Sequence, residues 1–243
     1  NPWNKDRWAG GSSSGSAASV AGGLVPFAIG TETWGSILCP SNFCGLSGLR
    51  PPFGRVSRHG AVALSWTLDK IGPIARSLDD CRLVLDQIAG VDSLDADSAD
   101  AKLTWKGVER GNLKGLRAAL IPSDFAKNGD PETADAFAKA LDTLRASGLT
   151  IDEAKLPDLP YEAAAVVALQ VEAVQAFEKL YTSGDVRKLV DERAPIQAEV
   201  ARAVSGSDYL RALRLRLVMQ QAMNKFFEDY DLIVAPGFLK VAP

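Results

Sequence analysis

Between Ala9 and Leu49 the chain reads AGGSSSGSAASVAGGLVPFAIGTETWGSILCPSNFCGLSGL, and this stretch restricts the possible folds more than any other. Two serine-bearing glycine loops, GGSSS and GTETWGS, are joined by a run of Ala, Ser and Gly followed by an apolar run. Ser16 to Gly23 reads as a buried helix of small residues, useful only where backbones approach closely. Leu24 to Ile29, bounded by Gly23 and Gly30, reads as a central strand covered on both faces. The two together imply a layered α/β core.

Further along, ILCPSNF forms a short helix or turn limited by Pro40, and the Gly, Pro and Arg residues of Gly45 to Gly60 suggest a short strand and a structured loop. SLDDCRLVLDQIAG has the pattern of an amphipathic helix, with Ser77 as N-cap, Asp80 at the capping-box position and Gly90 as the stop. Asp92 to Lys102 is an acidic surface connection without the glycine and terminal Glu of a calcium loop. A β-α-β unit follows: strand Leu116 to Pro122, a helix opened by Asp130-Pro131 and ended by Gly148, and strand Leu149 to Leu156. From Tyr161 to Tyr230 three helices are expected, with breaks at Ser183-Gly184 and Ser205-Gly206 and with Ser207 capping the last. Asp231 to Ala235 then returns to the sheet. Arg211, Arg214 and Arg216 are interleaved with Leu and Ala and read as a solvated face.

At 243 residues and 47% hydrophobic content the chain can bury a full core, and its net charge of -3 carries no basic block. That excludes nucleic acid as a direct partner, and no apolar run approaches the roughly 20 residues of a membrane span. Three cysteines and one histidine, without a CxxC, supply neither a disulfide framework nor a metal set, so a reduced, cytoplasmic setting is expected. No cofactor is called for. The chain opens on Asn1 and stops in YDLIVAPGFLKVAP, which suggests a single domain over residues 1–243 cut from a longer protein at both ends.

A serine nucleophile needs a base, a fixed direction and donors for the oxyanion it creates. His59, isolated in SRHG, reads as a surface or structural residue, which leaves activation by a desolvated lysine as the alternative. Cys39 and Cys44 read as buried apolar cysteines, and Ser14 and Ser16 as turn and helix-cap residues.

The two loops resemble those of the amidase signature family, serine hydrolases with a Ser-cisSer-Lys triad. Gly10 to Ala18 matches its GGSSxGSAA pattern and Gly30 to Ile37 its GT(D/E)TxGSI pattern, with Ser12 and Ser36 the family's twenty-four positions apart. The resemblance extends through NPW, GLR-P-GRVS, DKIGPIAR at Asp69 to Arg76, and YDLIVAP. It implies an α/β fold, a three-layer α/β/α sandwich around a mixed β-sheet. It also implies Ser36 as nucleophile, Ser12 as bridging serine after a cis Gly11-Ser12 peptide, and an oxyanion hole from the N–H groups of Thr33, Trp34, Gly35 and Ser36. Ser13 would orient the lysine and Glu32 would hold the second loop. The family's lysine lies upstream of the first loop, and Lys5, in a polar run, is not its equivalent. Trp34 and Leu38 depart from the usual pattern, Leu38 replacing a frequent Arg.

The implied activity is hydrolysis of a small-molecule carboxamide through a serine acyl-enzyme, releasing ammonia or an amine, with a homodimer allowed. Two alternatives stand beside it. One is the A subunit of a glutamyl-tRNA(Gln)/aspartyl-tRNA(Asn) amidotransferase, which takes ammonia from glutamine; the other is an inactive remnant kept as a binding module. The 243 residues alone, lacking the lysine, are expected to be inactive.

Overall fold

The computed structural model describes residues 1–99, 112–122 and 129–243. The expected end of the acidic connection, 100–102, lies outside the described residues. The class is mixed α/β, as anticipated, with the strands of the described residues distributed over two three-stranded sheets.

The first sheet has the order β1-β3-β2 and is antiparallel throughout, formed by β1 (Phe27–Glu32), β2 (Ser47–Gly48) and β3 (Lys70–Ala75). Helices α1 (Ser14–Ala21), α2 (Leu38–Phe43) and α3 (Leu78–Ile88) pack around it. Its core joins Ala17 of α1, Ile37, Cys44 and Ile74 of β3, all fully buried. Burying each Ile of that set contributes about 1.5–3 kcal/mol.

The expected central strand at Leu24 to Ile29 is corrected in two respects. β1 begins only at Phe27, because Gly22 to Pro26 are spent turning the chain out of α1, with the Leu24 N–H bonded back to the Ser19 carbonyl at 2.9 Å. Among the described residues it is also an edge strand, with Phe27 and Ile29 exposed. A continuous apolar run does not itself reveal whether a second layer covers it.

The unpaired edge of β1 is served by α1. The Ser16 hydroxyl donates to the Ile29 carbonyl at 2.9 Å, while the Ser13 hydroxyl donates to the Thr31 carbonyl and accepts the Thr31 N–H, both at 3.2 Å. Small residues make this approach possible. A Cβ on Gly30 would stand 2.9 Å from Ser13 Oγ and 3.0 Å from Ile37.

In the second sheet β4 (Arg117–Leu120) is central and parallel to both β5 (Thr150–Glu153) and β6 (Leu232–Val234). The β-α-β reading holds: α4 (Pro131–Ala146) links β4 to β5 and ends before Gly148, whose φ is 93°. The helical region holds more elements than the three expected, namely α5 (Tyr161–Ala176), α6 (Glu178–Thr182), a 3₁₀ turn at Asp185–Lys188, α7 (Ala194–Arg202) and α8 (Gly206–Phe226). Ser205 caps α8, not Ser207. Its hydroxyl accepts the Asp208 N–H at 3.1 Å, the three-residue offset that a cap requires and that Ser207 lacks. Ser77 caps α3 as expected, accepting the Asp80 N–H at 3.1 Å.

Candidate active site

Where β1 runs out, the chain turns through Thr33, Trp34, Gly35 and Ser36 into α2. Glu32, almost wholly buried, governs that turn: one carboxylate oxygen accepts the N–H groups of Ile37 at 2.8 Å and Leu38 at 2.9 Å, and the other lies 3.4 Å from Arg50 Nε. The carboxylate therefore caps the first turn of α2 from the preceding strand.

Three of the turn's four carbonyls have donors among the described residues. Thr33 O accepts from Lys70 Nζ at 3.1 Å, Gly35 O from the Cys39 N–H at 2.7 Å, and Ser36 O from the Ser13 N–H at 3.2 Å. Among the described residues, the N–H groups of Trp34, Gly35 and Ser36 find no protein acceptor. A Cβ on Gly35 would meet nothing within 4 Å, so this backbone borders open space. Such a turn presents donors to an incoming negative oxygen.

The first loop lies against it. Gly10, with φ of 83°, sits where a Cβ would be 2.6 Å from the Pro40 Cα, so only glycine brings the loop this close to α2. The Gly11-Ser12 peptide is cis. The Ser13 N–H reaches the Ser36 carbonyl directly, which ties the two loops through backbone. Neither the Ser12 nor the Ser36 hydroxyl makes a hydrogen bond among the described residues, and no described lysine bonds to Ser12. Ser14 donates to the Gly10 carbonyl, a local turn bond of the kind expected for it.

Ser12, Thr31, Thr33, His59, Asp69 and Lys70 line one cavity of about 360 Å³, which Phe177 borders from the helical region. His59, read from the sequence as a surface or structural residue, is exposed and lines this cavity. Asp69 and Lys70 have no individual signal in the sequence beyond their place in the DKIGPIAR stretch. Asp69 Oδ1 accepts the Thr33 hydroxyl at 2.5 Å, while Oδ2 accepts the N–H groups of Leu64 and Ser65 at 2.8 and 3.0 Å. Lys70 stands opposite Glu32 in the β1–β3 register. Partial burial and the nearby Arg50 lower its pKa to about 8, with Glu32 and Asp69 acting in the opposite sense.

Arg216 is also more engaged than a solvated face implies, because its guanidinium donates to the Thr67 carbonyl at 2.7 Å. Cys39, Cys44 and Cys81 are free and buried. Burial pushes the Cys44 and Cys81 thiols up from their ordinary pKa, away from nucleophilic thiolate. No helix among the described residues is long and apolar enough to cross a membrane.

The family model described as Amidase matches residues 1–243. The A subunit of the glutamyl-tRNA(Gln) amidotransferase of Lysinibacillus sphaericus is 36% identical over 97% of this chain and 53% of its own length. Among solved structures, a chain from a vestigial protein complex bearing on the origins of an s-triazine catabolic enzyme superposes with a TM-score of 0.88 at 32% identity, covering 100% of this chain and 52% of that one. The corresponding A subunit of the Thermotoga maritima glutamyl-tRNA(Gln) amidotransferase gives 0.82 at 28% identity, over 100% and 53%. The chain thus spans about half the length of the curated relatives it matches.

Proposed function

This chain belongs to the amidase family, and from that premise we propose that it carries the serine half of an acyl-transfer site acting on a carboxamide. Ser36 Oγ bonds to the amide carbon while its proton passes through Ser12 to a lysine supplied by the full-length protein. The C–N bond breaks, the nitrogen leaves as ammonia after taking that proton, and water cleaves the acyl ester to the carboxylate. The observation that carries the reading is the Thr33–Ser36 turn, where the Thr33, Gly35 and Ser36 carbonyls are engaged elsewhere while the Trp34, Gly35 and Ser36 N–H groups have no acceptor among the described residues.

For the source of the nitrogen we favour glutamine, with the chain part of an amidotransferase A subunit that works with partner subunits. The named relatives at 36% identity support this over the stand-alone amidase to which Trp34 and Leu38 point. A stand-alone hydrolase is the second reading, supported by the superposition on a bacterial aryl acylamidase of the amidase signature family, with a TM-score of 0.84 at 26% identity. The three free cysteines fit a cytoplasmic setting for either.

The test is ammonia release from glutamine and from simple carboxamides by the full-length protein and its Ser36→Ala variant. We expect at least a roughly 10⁴-fold loss in the variant, as for removal of other serine nucleophiles. Activity within tenfold of the parent removes Ser36 from the mechanism. Glutamine-dependent amide transfer to misacylated tRNA with partner subunits present selects the first reading, and turnover of simple amides alone selects the second.

A further inference from the structure

Asp69 and Lys70 are consecutive, yet they hold two different parts of the same residue. Asp69 takes the Thr33 hydroxyl and Lys70 takes the Thr33 carbonyl, at 2.5 and 3.1 Å. Both grips come from a rigid place, the start of β3, where Lys70 is in register with Glu32. Asp69 is itself fixed by the Leu64 and Ser65 N–H groups.

The consequence follows from peptide geometry. In a trans peptide the carbonyl and the next N–H point in opposite directions. A Thr33 carbonyl drawn toward Lys70 therefore turns the Trp34 N–H to the opposite side; like it, the Gly35 and Ser36 N–H groups have no protein acceptor among the described residues. Were that peptide to flip, a carbonyl oxygen would replace a donor in the turn, and an oxyanion would meet repulsion.

We infer that Lys70 is a positioning residue for the acyl-transfer turn: its ammonium holds the Thr33 carbonyl and so keeps the Trp34 N–H presented to the oxyanion. This rests on the acyl-transfer reading above. Lys70 does not touch the reacting atoms; it acts through Thr33.

The charge on Lys70 makes the grip responsive to pH. Its pKa, lowered to about 8 by partial burial and by Arg50, means a cation below pH 8 and a neutral amine above it. A neutral amine is the weaker donor to a carbonyl. The charged and titratable groups around it are Glu32 from β1, Arg50 from the loop after β2, Asp69 beside it, Arg216 from α8, and His59 and Asp95 at the same cavity. Arg58, also at the cavity, is committed to Asp97 at 2.6 Å. The carboxylates of Glu32 and Asp69 hold back part of the shift that burial and Arg50 impose. The grip is therefore complete at neutral pH and relaxes as the pH rises past about 8.

The test uses the full-length protein with Lys70→Met and Lys70→Gln. Lys70→Met should lower kcat about 10- to 100-fold with KM within twofold, the range seen on losing one oxyanion donor or less. Lys70→Gln, a donor that does not titrate, should restore most of kcat and abolish the alkaline fall centred near pH 8. In parallel, 5-fluorotryptophan is incorporated and the Trp34 resonance assigned by Trp34→Phe. That ¹⁹F signal should titrate with a midpoint near 8 in the parent and stay constant in Lys70→Gln. An unchanged kcat in Lys70→Met, or an alkaline fall that persists in Lys70→Gln, overturns the inference. So does a Trp34 signal that ignores pH in the parent, whatever the activity. Absence of amide cleavage in the parent with a titrating Trp34 signal refutes the acyl-transfer reading instead and leaves the Lys70–Thr33 grip standing.

Discussion

Glu32 shows how much one side chain can settle. Its carboxylate is the acceptor for two helix-starting N–H groups and a neighbour of Arg50, and nearly all of it is out of water. Glu32→Ala would leave the Ile37 and Leu38 N–H groups without partners in a packed region, at a cost of about 2–4 kcal/mol. Denaturant unfolding should report this as a lower midpoint at unchanged slope, with the turn beside Ser36 losing order and activity together. A stability within about 0.5 kcal/mol of the parent would mean that water serves those amides equally well. In the sequence this role is legible only through resemblance, since nothing in GTETWGS says which way an acidic side chain points. Asp69 and Lys70 are less legible still. Their partner Thr33 lies more than thirty residues away, and only the β1–β3 register brings them to it.

At the scale of elements, a buried carboxylate helps fasten the helical region to the site's framework, beside the Arg216–Thr67 bond. Glu172 of α5 accepts the Ser65 hydroxyl at 2.5 Å, the Thr67 N–H and hydroxyl at 3.0 and 2.8 Å, and the Tyr209 hydroxyl of α8 at 2.8 Å. Burial works against its charge, but the bonds from Ser65, Thr67 and Tyr209 outweigh that and hold the carboxyl below its ordinary value. The same environment, burial first and then the Glu172 carboxylate, pushes the Tyr209 phenol up to about 12. The folded glutamate binds its proton less readily than the unfolded one. Its contribution is therefore present above the unfolded pKa of about 4.3 and is lost as pH falls through the lower folded value. Thermal melts from pH 7 to 3 should show the parent losing stability on acidification, and Glu172→Gln should start lower and fall less. Parallel curves for the two proteins would exclude Glu172 as the source. Local signals announce most of these elements: the Ser77 cap, the Asp130-Pro131 opening and the Gly148 stop each act within four residues. The cap of α8 is harder to read because two candidate serines sit two residues apart, and only the offset to Asp208 separates them.

Across the whole molecule the strands divide by polarity, antiparallel around the serine loops and parallel in the β-α-β unit. The parallel part is readable from its helix-spaced connection, whereas the exposure of β1 is not, because Leu, Val, Phe and Ile look the same beneath a cover and without one. Phe27 and Ile29 are 44% and 41% exposed on that strand. Phe27→Thr combined with Ile29→Thr in this chain should reduce hydrophobic-dye binding and self-association. The melting temperature should stay within about 2 °C, since exposed substitutions shift stability by about 0.5 kcal/mol. A drop well beyond that would place both side chains in a packed environment. The Ser13 and Ser16 hydroxyls that run along the outer edge of β1 bear on something else, the freedom of this gene to change length. The Ser16–Ile29 and Ser13–Thr31 rungs fix helix against strand, so a residue added between Ser13 and Ser16 or between Ile29 and Thr31 breaks their register and disturbs the placing of the two serines. Of the residues between the rungs, 22–26 form an exposed turn outside both helix and strand. Insertions and deletions between the two loops are therefore best absorbed at those five positions, while the two rungs make the helix and strand ends that carry Ser12 and Ser36 behave as a fixed ruler.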